Sequence, residues 1–187
     1  MSKLTAFDYY NSAKISIVEN NLDQAIQNLK KAIFLEKNFS QAYFLLSILY
    51  ASKNLKKETL KTLLKLIELE PNNLWHYNNL ALFYFLNQDF TKAEKAMIKC
   101  LEINPNFIIV YPNLYLIYRT ICDWKKSEEI EKKLDELSID SPFINILRFD
   151  DFEKNLQSAK LLVNNFLNNL PKVNFSYQRR EKHNKIR

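Results

Sequence analysis

Residues 74–107 read LWHYNNLALFYFLNQDFTKAEKAMIKCLEINPNF, and their spacing decides the fold. Tyr77, Leu80, Ala81 and Tyr84 recur at three- and four-residue intervals, which places them on one face of a helix over about 75–87. Ala93, Met97 and Cys100 do the same over about 91–102. The polar turn Asn87-Gln88-Asp89 joins the two segments, and Pro105 closes the unit. Ala81 and Ala93 are small enough to let an antiparallel helix pair cross closely. One such pair cannot bury its own apolar surface, so copies must stand beside it.

They follow at a period of 34 residues: 6–39, 40–73, 74–107 and 108–141. Tyrosine near the start of the first helix, a small residue in its middle and proline after the second complete a pattern that resembles the tetratricopeptide repeat. The resemblance implies an all-α, right-handed solenoid of four helix pairs over 1–141. It also implies glycine in the first helix and in the turn, and this chain has none. Ala13, Ser47 and Ala81 take the first position. Asn20 and Asn54, which tolerate left-handed backbone, take the second. Copy four is the most divergent, with bulky Tyr115 and polar Glu131 at expected inward positions.

Details differ between copies. Lys37 stands where copies two and three have Pro71 and Pro105, so the first break reads as softer. The turn of copy two reads as one residue short, because Leu55 precedes Thr59 by four residues where Phe90 precedes Ala93 by three. Pro112 is tolerable only within the first turn of its helix. Beyond Ser141-Pro142, an amphipathic stretch carries Leu156, Ala159, Leu162, Val163, Phe166 and Leu167 on one stripe. That region, 142–170, is expected to cap the last repeat, with Asp150-Asp151 at the helix start. A basic linker follows over 171–187.

Composition narrows the function. The net charge of +6 gathers in Lys172, Arg179, Arg180, Lys182, Lys185 and Arg187, opposed by Glu181, so the repeats are close to neutral. Basicity is therefore no argument for nucleic acid. No apolar run approaches the roughly 20 residues that a membrane crossing needs. Without a signal-peptide core, the reading is cytoplasmic and away from membranes. Cys100 and Cys122 are expected as free thiols, and His76 and His183 stand apart from any cysteine cluster, so no metal or other cofactor is expected. Without glycine there is no phosphate-cradling loop, and no nucleophile has a base in register; no catalytic residue is assigned.

The candidate site is the groove lined by the first helices. The sixth residue of each copy is Asn11, Leu45, Asn79 and Asn113. An asparagine amide both donates to and accepts from a peptide backbone without demanding particular side chains. Tyr10, Phe44, Trp75, Leu82 and Phe85, with Phe7, Ile48 and Ile109, surround them as an apolar lining suited to an extended segment or a partner helix.

The order of Cys122-Asp123-Trp124, Ser141-Pro142-Phe143, Leu147-Arg148-Phe149-Asp150-Asp151 and a basic end on Lys185-Ile186-Arg187 is similar to bacterial O-GlcNAc-transferase-like (SPINDLY-like) proteins. In that family the repeats lead into a glycosyltransferase domain. The resemblance implies that this chain is the non-catalytic, substrate-selecting N-terminal part of a UDP-GlcNAc-dependent enzyme. Catalytic residues would then lie downstream, and an asparagine ladder would map onto Asn11, Asn79 and Asn113. The alternatives are a free-standing adaptor assembling a protein complex and an oligomerisation module.

Overall fold

The computed structural model describes residues 4–137 together with Leu156 and Lys160. The described residues contain eight helices and no strand: α1 Ala6–Val18, α2 Leu22–Leu35, α3 Ser40–Ser52, α4 Lys56–Leu69, α5 Leu74–Leu86, α6 Phe90–Ile103, α7 Val110–Thr120 and α8 Trp124–Glu136. They form four antiparallel pairs, and each helix makes its principal contacts with the helices next to it in sequence. This is the all-α solenoid that the repeat pattern requires.

The second helices begin at Leu22, Lys56, Phe90 and Trp124, a constant spacing of 34 residues. What holds that spacing is the turn before each of them. Asn20, Asn54, Gln88 and Cys122 sit in the left-handed region, with φ of 58°, 55°, 61° and 58°. The next amide reaches back five residues in every copy: Asn21 to the Ser16 carbonyl, Leu55 to Tyr50, Asp89 to Tyr84 and Asp123 to Tyr118, at 2.8–2.9 Å. These bonds satisfy carbonyls that the ending helix leaves open. Two of the four left-handed residues are asparagine, the type that tolerates this conformation best after glycine. Gln88 and Cys122 have no such preference, and the backbone bonds of the cap hold them there.

The same register corrects the reading of copy two. Its connection, 53–55, is as long as 87–89, because Leu55 corresponds to the cap residue Asp89 and not to Phe90. Thr59 then aligns with Ala25, Ala93 and Ser127, and all four are buried at the crossing with the first helix. Leu55 leaves α4 without a side-chain cap, whereas Asn21, Asp89 and Asp123 accept from the amides of Gln24, Lys92 and Lys126. The softer break at Lys37 is also not found. α2 ends at Leu35 with extended Glu36, as α4 ends at Leu69 before Pro71, and buried Phe39 secures the entry to α3. Pro112 has a visible effect: α7 starts only at Val110, so that the proline, lacking an N–H, falls in its first turn.

Small residues mark the crossings as expected. Ala13, Ser47 and Ala81 are buried against Ala25, Thr59 and Ala93 of the partner helices. In copy four the corresponding residue is Tyr115, which is nonetheless buried, with the Arg119 guanidinium 6.0 Å from its ring centre. The apolar interior divides within copy two. One cluster joins α1, α2 and α3 around Leu29, Ala32, Leu46 and Leu49; the other runs from Leu63 and Leu66 through Met97 and Cys100 to Leu114 and Ile117.

Residues 140–187 form a separate unit, of which Leu156 and Lys160 are described, both helical. The rest of the expected capping region over 142–170, and the basic linker over 171–187, lie outside the described residues.

Candidate functional site

The two helices of each pair differ in charge. α1, α3, α5 and α7 together carry three charged side chains, Asp8, Lys14 and Arg119, and α3 and α5 carry none. α2, α4, α6 and α8 carry three, six, five and nine. The few inner charges are already engaged. Asp8 closes a capping box with Thr5, Lys14 lies over the Tyr10 ring, and Arg119 lies 4.8 Å from the Trp124 ring centre. The face formed by the first helices is therefore apolar and amide-bearing.

Between copies two and three this face opens into a cleft of about 390 Å³. α3 contributes Phe44, Ser47, Ile48 and Ala51; α5 contributes Asn79, Leu82, Phe83 and Leu86; Leu63 and Thr59 of α4 form the floor. Asn54, Lys56 and Asn87 gather at the turn end. Leu86 is 78% exposed and Ile48 47%, more than a helix in a finished core leaves open.

Among the expected groove residues, Phe44, Ile48, Asn79 and Leu82 meet in this cleft. The others do not line it. Tyr10 leans on Phe39, with ring centres 5.1 Å apart, and Leu45 packs against the N-terminal core cluster. Trp75 meets Phe107 edge-on at 5.1 Å while staying 53% exposed. Phe85 packs on the C-terminal cluster and against Phe90. Asn11 and Asn113 are half-buried on their own helices, outside the cleft. Neither they nor Asn79 form a side-chain hydrogen bond among the described residues. Phe83 and Leu86 complete the cleft but were not expected there; reading the first helix as a column of single positions hid that they line the same cleft as Ile48 and Ala51.

A part-buried polar junction lies nearby, where α4 passes into α5. Glu70 accepts from the Asn73 amide at 2.7 Å and meets His76 Nε2 at 2.9 Å. Hydrogen bonds from Ser40, Asn73 and His76 hold the Glu70 carboxyl down to about 2. The opposite ring nitrogen of His76 and the Asn78 carbonyl oxygen are buried without a partner among the described residues. Cys100 is a buried free thiol facing the Leu74 and Ala96 carbonyls, and burial pushes it up to about 11. Cys122 is free and exposed. Among the described residues no three His, Cys, Asp or Glu side chains come together, and no helix is long and apolar enough to cross a membrane.

Comparison with known proteins agrees with this geometry. Tetratricopeptide-repeat models match residues 40–73 and 62–95, so the chain carries tetratricopeptide repeats. Among solved structures, MamA 41-end from Desulfovibrio magneticus RS-1 is 22% identical with a TM-score of 0.62, over 73% of this chain and 78% of that one. The MamA RS-1 ArsTM double mutant is 16% identical with a TM-score of 0.67, over 87% of this chain and 95% of that one. At such identities the likeness is one of fold. No curated protein matches the sequence.

Proposed function

With a tetratricopeptide-repeat fold as the premise, we propose that this chain is a protein-interaction scaffold whose first-helix face binds a polypeptide segment, as an adaptor that assembles a protein complex. The cleft between α3 and α5 carries this reading: an open, uncharged wall of Phe44, Ile48, Leu82 and Leu86 beside the unpartnered Asn79 amide. Bulky side chains of a ligand enter such a cleft, and the amide meets its backbone.

The test uses peptides selected on the whole chain from a random display library. If Asn79 and Asn113 hold the ligand main chain, Asn79→Ala with Asn113→Ala weakens binding about five- to a hundredfold, at about 0.5–1.5 kcal/mol per bond. Circular dichroism stays unchanged, and the loss is similar across peptide sequences. If Phe44, Leu45 and Phe85 control affinity while the double variant binds normally, the face reads apolar side chains and the asparagines are bystanders.

A second reading rests on the sequence similarity over 122–187 to O-GlcNAc-transferase-like proteins. There the chain is the substrate-selecting arm of a glycosyltransferase. The comparisons with known proteins lend it no support, and it stands behind the adaptor. Its test is whether the coding sequence after Arg187 encodes a sugar-nucleotide-binding domain.

A further inference from the structure

The outer helices repeat one device. Lys65, Lys99 and Lys133, each 34 residues from the next, pair with Glu68, Glu102 and Glu136 at 2.8, 2.7 and 2.6 Å. Each lysine also stands beside the tyrosine of its own first helix: Tyr43, Tyr77 and Tyr111. Copy one keeps the lysine and the tyrosine, with Lys31 5.4 Å from the Tyr9 ring centre. It replaces the glutamate with Phe34, and Phe34 is 73% exposed.

That exchange changes the surface. Leu4, Tyr9, Lys30, Lys31, Phe34 and Leu35 line an open cleft of about 450 Å³. Lys37 adds a further cation 4.7 Å from the Phe34 ring centre. None of Lys30, Lys31 and Lys37 forms an ion pair among the described residues, and neither does neighbouring Glu36. Bulky apolar groups and uncompensated lysines therefore meet in one concavity, on a different helix row from the α3–α5 cleft.

We propose that this cleft on copy one is a second docking surface, for a polypeptide segment that carries a bulky apolar side chain next to carboxylates. The apolar side chain replaces the water over Phe34 and Leu35, and the carboxylates take the place beside Lys31 that glutamate fills in copies two to four. A concavity with cations at its rim suits an inserted side chain better than it suits a flat lipid surface.

Selection of a random twelve-residue display library on the wild-type chain, with counter-selection on Phe34→Glu, tests the assignment. Phe34→Glu restores the Lys–Glu pair of the other copies at an exposed position, so the fold survives, which a thermal melt verifies. The enriched peptides should place Leu, Phe, Met or Trp within two residues of Asp or Glu. Both Phe34→Glu and Lys31→Glu should weaken them about tenfold or more, and Phe44→Asp in the α3–α5 cleft should leave them unchanged. Peptides without acidic residues, or no peptides that separate wild type from Phe34→Glu, overturn the proposal. If Phe44→Asp abolishes binding of the enriched peptides, they occupy the first-helix cleft; this proposal then fails while the groove reading stands. Wild-type chain that sediments with phosphatidylserine-containing vesicles, lost in Phe34→Glu, with no peptide selected, assigns the surface to lipid and likewise overturns it.

Discussion

In copies one to three, the first helix leaves large apolar side chains such as Phe7, Phe44, Ile48, Trp75 and Leu86 exposed, while the second turns mostly lysine and glutamate outward. The contrast is sharpest in copy three. Trp75 and Leu86 of α5 stay exposed, whereas the outer surface of α6 carries Lys92, Lys95 and the Lys99–Glu102 pair. Burying apolar surface is worth about 25 cal/mol per Å². Apolar side chains are also open on the second row, at Phe34, Leu35, Leu64, Ile98 and Trp124, but there they stand among charges. Where they stand without charges, they mark surface that something else covers. Beyond copy one, the charged row is an ordinary solvated face, whose i,i+3 pairs add little to stability.

The largest effect expected from this contrast lies where the rows cross. Ala81→Leu places a side chain where α5 meets Ala93 of α6, both fully buried, and overpacking should cost about 1–3 kcal/mol. An unchanged melting temperature would mean that the rows do not cross there.

A smaller effect lies at the junction between copies two and three. The Glu70 carboxyl is held at about 2 in the fold against an ordinary 4.5. Because the folded value is the lower one, its stabilisation is whole above about pH 4.5 and is lost as the pH falls towards 2. Wild type should therefore lose stability more steeply across that window than Glu70→Gln. Solvent reaches 39% of the Glu70 side chain, which keeps the difference modest. Superimposable acid titrations would place the sensitivity on other carboxylates. The smallest effect belongs to the outer row: Glu102→Gln should change stability by no more than about 0.5 kcal/mol and leave peptide binding as it was. A change in affinity would break the division of labour between the rows.

The 34-residue period, the small residues at the crossings and the left-handed turns at Asn20 and Asn54 were legible because each has a local physical cause. Gln88 and Cys122 were not legible as left-handed, since nothing in their chemistry prefers it; the cap bonds impose it. The register of copy two misled for a related reason. Leu55 looks like Phe90 by hydrophobicity, but it occupies the cap position of Asp89, which only the buried Thr59 reveals. The cleft was half legible: Phe44, Ile48, Asn79 and Leu82 meet, and Phe83 and Leu86 went unrecognised because which first-helix residues face a neighbour depends on how two copies stack. The Glu70 junction gathers Ser40 of α3 with Asn73 and His76 at the start of α5, and no spacing announces it. The lysine column at 31, 65, 99 and 133 was readable, and Phe34 as its exception with it, once copies were aligned by their second helices.

Contacts confined to sequence neighbours also govern how the array assembles and comes apart. Among the described residues the principal helix pairings join neighbours in sequence, so their contact order is low and the loop-closure cost of each step is small. Any one helix pair can nucleate, and the rest add by zippering outward from it. The division of the apolar interior within copy two sets where such an array parts into two cooperative halves: the cluster of α1–α3 on one side, and the cluster that runs from α4 to α7 on the other.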